Sequence, residues 1–142
     1  MNDMASFDDI ADNLGFLDDW EDRYRYLIEL GQALPPLDAL QKTQANKVNG
    51  CISQVWLVVD EENADGQQLL KFSGDSDAMI VKGLVAILVA LYSGKSAGDI
   101  AAIDAIAELD ALGLREHLTT QRSNGLVAMV ERIKAEARAR TA

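Results

Sequence analysis

Between Met79 and Tyr92 the chain carries a single charged residue, Lys82, and from Leu84 to Leu91 it is apolar without interruption. A helix built from Val85-Ala86-Ile87-Leu88-Val89-Ala90-Leu91-Tyr92 is apolar on nearly all sides. It has no face to offer water and must lie inside a core. It is also too short to cross a bilayer, which takes about 20 apolar residues. The rest of the chain therefore has to supply the surfaces that cover it.

Two segments read as strands. Val55-Trp56-Leu57-Val58-Val59 is rich in β-branched and aromatic residues. In Gln68–Ser73, Leu70 and Phe72 share one face and Leu69 and Lys71 the other. Asp60 to Gly66 separates them as a turn, with Asp65-Gly66 the strongest signal, so the pair predicts an antiparallel hairpin. A short strand at Lys47-Val48 would be a third and would put Cys51 at a strand-to-strand tip.

Helices are expected on either side. Ser6 can cap a first helix with Phe7, Ile10, Leu14 and Leu17 on one stripe. A second runs from Asp18 to Leu30, its aromatics Trp20 and Tyr24 anchoring it to the sheet, and Gly31 stops it. Asp75 or Ser76 caps the core helix, Ser96 a short one, and Asp104 to Leu112 forms another. The last spans Arg122 to Arg138, with Leu126, Met129, Val130 and Ile133 inward. An apolar fraction of 49% suffices for one core, and the only prolines, Pro35-Pro36, are adjacent. The expectation is one α+β domain over residues 1–142, a small antiparallel sheet of about three strands flanked by helices.

The formal charge of −10 argues against nucleic acid or an anionic membrane surface as the partner. The first residues lack the basic and apolar regions of a signal peptide. Gly94-Lys95-Ser96 lacks the upstream glycine and the preceding strand of a phosphate-binding loop. Cys51 is the single cysteine, so no internal disulfide forms, no thiol zinc site has its spacing, and a reducing cytoplasm suits it. On its position alone, Cys51 is either a small buried hydrophobe or an available thiol.

The surroundings of that cysteine resemble a known family. Lys47-Val48-Asn49-Gly50-Cys51-Ile52-Ser53-Gln54-Val55-Trp56 is similar to the signature of the SufE family, the sulfur acceptors that work beside a cysteine desulfurase in iron–sulfur cluster assembly. Trp20 to Gly31, Gly74 to Leu84 and Glu116 to Leu126 resemble further blocks of it, so the likeness runs from about residue 18 to 138. In the last block the family commonly reads His-Leu-Thr-Pro-Ser-Arg-Ser-Asn-Gly-Leu. Here Thr120 and Gln121 depart from it and the proline is missing, which leaves the stiffness of that turn open.

The resemblance implies a fold of the SufE and IscU type and a role as persulfide carrier and desulfurase activator, not a free-standing enzyme. Cys51 would take sulfane sulfur from a SufS- or CsdA-like desulfurase, with a SufBCD-type scaffold as a downstream candidate and a homodimer allowed. No cofactor is expected, because the pyridoxal phosphate belongs to the partner. One thiolate cannot hold an iron–sulfur cluster, which ordinarily takes four. Lys47, His117 and Arg122 are the candidate cations near the thiolate, and Arg122 is preferred because it lies in a matched block and stays charged. The rival readings are a thiol enzyme pairing Cys51 with His117, and a binding module in which Cys51 is inert.

Overall fold

The structure, a computed structural model, describes residues 6–51 and 53–140, and for His117 the backbone alone. Two helices open it, α1 (Phe7–Phe16) and α2 (Trp20–Ala33), followed by a 3-10 turn at Ala39–Gln41. Strands β1 (Val55–Ala64) and β2 (Gln67–Ser76) lead into α3 (Met79–Tyr92). Then come α4 (Ala97–Ala102), α5 (Ala105–Ala111), a 3-10 turn at Arg115–His117 and α6 (Thr120–Arg138). The class is α+β, as the patterning predicts.

Helix α3 is the centre. Ten of its residues are buried, among them Leu84, Val85, Ile87, Leu88 and Tyr92. It packs between β2 and α2, and α6 closes part of the remainder. From the sheet come Val55, Leu57, Leu70 and Phe72, and from α6 Leu126, Met129, Val130 and Ile133, all into one continuous core. The expected caps at Ser6 and Ser96 hold, accepting from Asp9 N–H and Asp99 N–H. Asp19 and Asp104 cap α2 and α5 in the same way, accepting from Glu21 N–H and Ala107 N–H.

Several expectations are corrected. Among the described residues the sheet has two strands, not three. Where the third was expected there is a lone bridge, Lys47↔Trp56, with Val48 N–H donating to Val55 O at 2.8 Å and Leu57 N–H to Asn46 O at 2.9 Å. Pairing stops there because residues 44–46 turn away and Arg132 of α6 takes the Lys47 carbonyl at 3.1 Å. The hairpin is also longer than its composition suggests. Only Asp65 and Gly66 turn, with φ of 52° and 78°, and the acids at 60–62 lie in β1. Asp60 stands opposite Lys71, and Glu62 pairs with Lys71 at 3.0 Å, which lets a charged segment sit in an exposed strand.

Gly31 does not end α2, which runs on to Ala33. Gly31 and Gly83 face each other where α2 crosses α3. A Cβ on Gly83 would stand 2.1 Å from Leu27 O, and one on Gly31 2.9 Å from Gly83 N. The glycines are needed for close approach, not for a turn. The main packing partner of α2 as an element is α3 rather than the sheet. Trp20 and Tyr24 meet ring to ring at 5.4 Å, with the Arg23 guanidinium 5.2 Å from the Trp20 ring. Arg23 itself donates to the carbonyls of Leu14, Leu17 and Leu112, tying the end of α1 to the end of α5.

The Gly74–Asp77 segment does not cap α3 with a carboxylate. The cap position is Ala78, which makes no side-chain capping bond. Asp75 is instead only 3% exposed. It accepts from Leu37 N–H at 3.1 Å and Ser76 N–H at 2.8 Å, and pairs with Lys42 and Lys82 at 3.4 and 3.3 Å. Burial alone would push this carboxyl up. The two N–H donors and the Lys82 ammonium outweigh it and hold its pKa below the usual value.

Candidate functional site

The loop from Asn49 to Gln54 leaves the Lys47↔Trp56 bridge and enters β1 at Val55. Gly50 turns it with φ of 93°, a conformation that favours glycine. A Cβ there would also stand 3.1 Å from Ala128 Cβ of α6, so the loop lies directly on that helix. Cys51 then comes to rest over Gly125. Its Sγ–H donates to Gly125 O at 3.5 Å, and a Cβ at 125 would be 3.4 Å from Sγ. The far end of the loop is fastened at Gln54, whose N–H donates to Asp77 Oδ1 at 3.0 Å. Ile52 lies outside the described residues.

Beside the thiol is a cavity of about 230 Å³, open to solvent and lined by Cys51, Ser53, Val81, Thr119, Arg122 and Met129. It draws on four parts of the fold: the loop, the start of α3, the approach to α6 and α6 itself. Thr119 caps α6 by accepting from Arg122 N–H at 3.2 Å, so it fixes Arg122 in the first turn of that helix. Thr120 occupies the first helical position, where the missing proline would be at home, and the helix starts there without it.

The two preferred site residues thus line one cavity. Arg122 is half-buried, and among the described residues its guanidinium has no hydrogen-bond or ion-pair partner. It is the one charged side chain lining the cavity among the described residues. Lys47 does not line it, being held in the bridge to Trp56. The His117 side chain lies outside the described residues.

Cys51 itself is half-buried, and burial pushes its pKa above the ordinary thiol value. At neutral pH the resting group is a thiol, its proton directed at a backbone carbonyl. Such a group is shielded from oxidation and becomes a nucleophile only when deprotonated. A larger cavity of about 680 Å³ opens between Leu34–Leu37, Phe72 and Val89, and Cys51 does not line it. Among the described residues, no three His, Cys, Asp or Glu gather as a metal site, and no helix is long and apolar enough to cross a membrane.

Asp77, Gly125 and Thr119 were not among the site residues read from the sequence. All three stand in the resembling blocks, but nothing in their spacing points to Cys51.

The SufE family model, described as an Fe-S metabolism associated domain, matches residues 8–137. A SufE-like protein of Rhizobium etli is 57% identical over 139 residues, covering 98% of this chain and 94% of that one. Another, of Rhizobium meliloti, is 53% identical over 137 residues, covering 96% and 98%. Among solved structures, a hypothetical protein from Thermus thermophilus shares the fold with a TM-score of 0.69, at 23% identity over 94% of this chain and 93% of that one.

Proposed function

Since the chain belongs to the SufE family, whose domain is associated with iron–sulfur metabolism, we propose that it is a sulfur-acceptor protein for a cysteine desulfurase. One observation carries this reading. The only thiol of the chain sits on a loop at the surface, half-buried against α6, beside an open cavity that also contains a cation.

The step is a displacement at sulfur. The Cys51 thiolate attacks the outer sulfur of the partner's protonated cysteine persulfide. A new S–S bond forms on Cys51, the partner's S–S bond breaks, and the partner's thiolate leaves with the electron pair. The sulfane sulfur keeps its oxidation state, so no outside oxidant or reductant is needed. Arg122 would favour the thiolate as it forms, since a nearby cation stabilises the anion over the thiol. Taking the sulfur away frees the partner's cysteine, which would explain stimulation of the desulfurase. Pyridoxal phosphate would work in the partner. The sulfur would then pass towards cluster assembly, to a scaffold of the SufBCD type, in a reducing cytoplasm that keeps Cys51 free.

The test is intact mass of the full chain after incubation with a cysteine desulfurase and cysteine. The expected result is a gain of one sulfur by the wild type and none by Cys51→Ser. No gain by the wild type, or an equal gain by the serine variant, would overturn the reading. Turnover of a thioester or peroxide by the chain alone would instead favour a thiol enzyme.

A further inference from the structure

Gly125 stands in the second turn of α6, inside a helix, where glycine is less stable than alanine. Gly31 and Gly83 have a reason to be glycine, since a Cβ on either would strike backbone at 2.9 or 2.1 Å. Gly125 is different. The three heavy atoms nearest to a Cβ built there are Sγ, Cβ and Cα of Cys51, at 3.4, 3.7 and 3.8 Å, which is ordinary van der Waals contact. The resting protein would therefore accept alanine, with a gain in helix propensity and in contact with Cys51. Its packing alone does not call for the glycine.

The missing Cβ also has a direction. Cα–Cβ bonds of a helix lean towards its N-terminus, so one at 125 would lean towards Arg122, one turn earlier on the same face. Both residues line the cavity beside the thiol. The room at Gly125 thus adjoins Sγ on the side of the Arg122 turn, whose guanidinium has no hydrogen-bond or ion-pair partner among the described residues.

Loading changes what stands there. Transfer adds a second sulfur about 2 Å from Sγ, and it removes the thiol proton that Gly125 O accepts at 3.5 Å. A persulfide is a stronger acid than a thiol, so its outer sulfur is negatively charged at neutral pH. A neutral group resting on a carbonyl becomes an anion one atom longer.

We propose that Gly125 fits the site to its loaded form: the side chain it lacks leaves the room that the outer sulfur of a Cys51 persulfide occupies, between Sγ and the Arg122 turn. The inference deepens the sulfur-acceptor reading of Cys51 and rests on it. An alanine methyl would take the same room. The outer sulfur would then turn out to solvent, where small nucleophiles and oxidants reach it.

Gly125→Ala tests this because the resting and loaded forms should respond with opposite sign. Three measurements are made on the full chain: thermal unfolding of the unloaded protein, sulfur loading by a cysteine desulfurase followed by intact mass, and cyanolysis of the persulfide. Cyanide takes the outer sulfur as thiocyanate and leaves the Cys51 thiolate. For cyanolysis the persulfide is made without a desulfurase, from a mixed disulfide of Cys51 with an aromatic thiol. Hydrosulfide attacks Sγ and the aromatic thiolate leaves. Gly125→Ala is expected to unfold at or above the wild-type temperature. Its loaded fraction should fall several-fold, and its persulfide should release thiocyanate several-fold faster. A lower unfolding temperature would show that the glycine serves the resting contact and would overturn the proposal. So would cyanolysis at the wild-type rate, whatever the loading. If the wild type takes no sulfur from a desulfurase, the sulfur-acceptor reading fails, and cyanolysis of the chemically made persulfide still decides whether Gly125 provides the room.

Discussion

Cys51 is kept as a neutral thiol by burial, and this has a measurable consequence. Its rate of alkylation in the free protein should rise with pH around a midpoint above the ordinary thiol value, because only the thiolate reacts. A midpoint at or below the ordinary value would contradict the burial argument. The same shift has a sign for stability. The folded chain binds this proton more tightly than the unfolded chain, so the associated stabilisation is present below the unfolded pKa and is lost as pH rises through the folded one. Arg122 is the neighbouring cation, and two substitutions separate charge from geometry. If it stabilises the thiolate, Arg122→Lys should keep most sulfur loading. Arg122→Gln should lose about tenfold, the equivalent of about one pKa unit, with the loss shrinking at high pH. Equal losses in both variants at every pH would assign Arg122 to positioning the loop instead.

The crossing of α2 and α3 is a joint of the fold that hydrophobic periodicity could not reveal. Gly31, read along the chain, has the appearance of a helix stop, because glycine after an amphipathic run commonly is one. Its partner Gly83 lies far away in sequence, and only their meeting explains both. Gly83→Ala places a methyl 2.1 Å from the Leu27 carbonyl, which is backbone and cannot rotate away. The helices must separate, at a cost of about 1–3 kcal/mol or more. Gly98→Ala in α4 is the control. A Cβ there meets nothing within 4 Å, so the gain in helix propensity should stabilise by up to about 1 kcal/mol. Thermal or urea unfolding of the two variants should move in opposite directions. A neutral Gly83→Ala would mean that the crossing is looser than described.

Asp75 joins parts of the chain that have no local reason to meet. Its carboxylate holds Leu37 after α2, Lys42 in the irregular segment, the end of β2 and Lys82 of α3. Asp75→Ala leaves two ammonium groups and a buried N–H without their acceptor, and should destabilise by about 3–5 kcal/mol. The pH dependence follows from a depressed pKa. Its stabilisation is present above the ordinary carboxylate value and is lost as pH falls through the folded value. Urea unfolding of the wild type and Asp75→Asn should therefore differ most near neutrality and converge in acid. A constant difference across pH would show that the charge of Asp75 contributes nothing.

The α+β class, the buried α3, the hairpin at Asp65-Gly66, the caps at Ser6 and Ser96, and Cys51 before a strand were all readable along the chain. Each depends on residues within a few positions of one another, where periodicity, turn chemistry and capping operate. Resemblance also directed attention to Arg122, but as a motif member without a location. Tertiary packing determined that Arg122 lines the same cavity as Cys51, that Lys47 does not, that the third strand shrinks to a bridge, and that Asp75 and Asp77 leave α3 uncapped. These outcomes turn on which distant donor reaches a carboxylate or carbonyl first. That competition is resolved only once the helices and sheet have closed around α3.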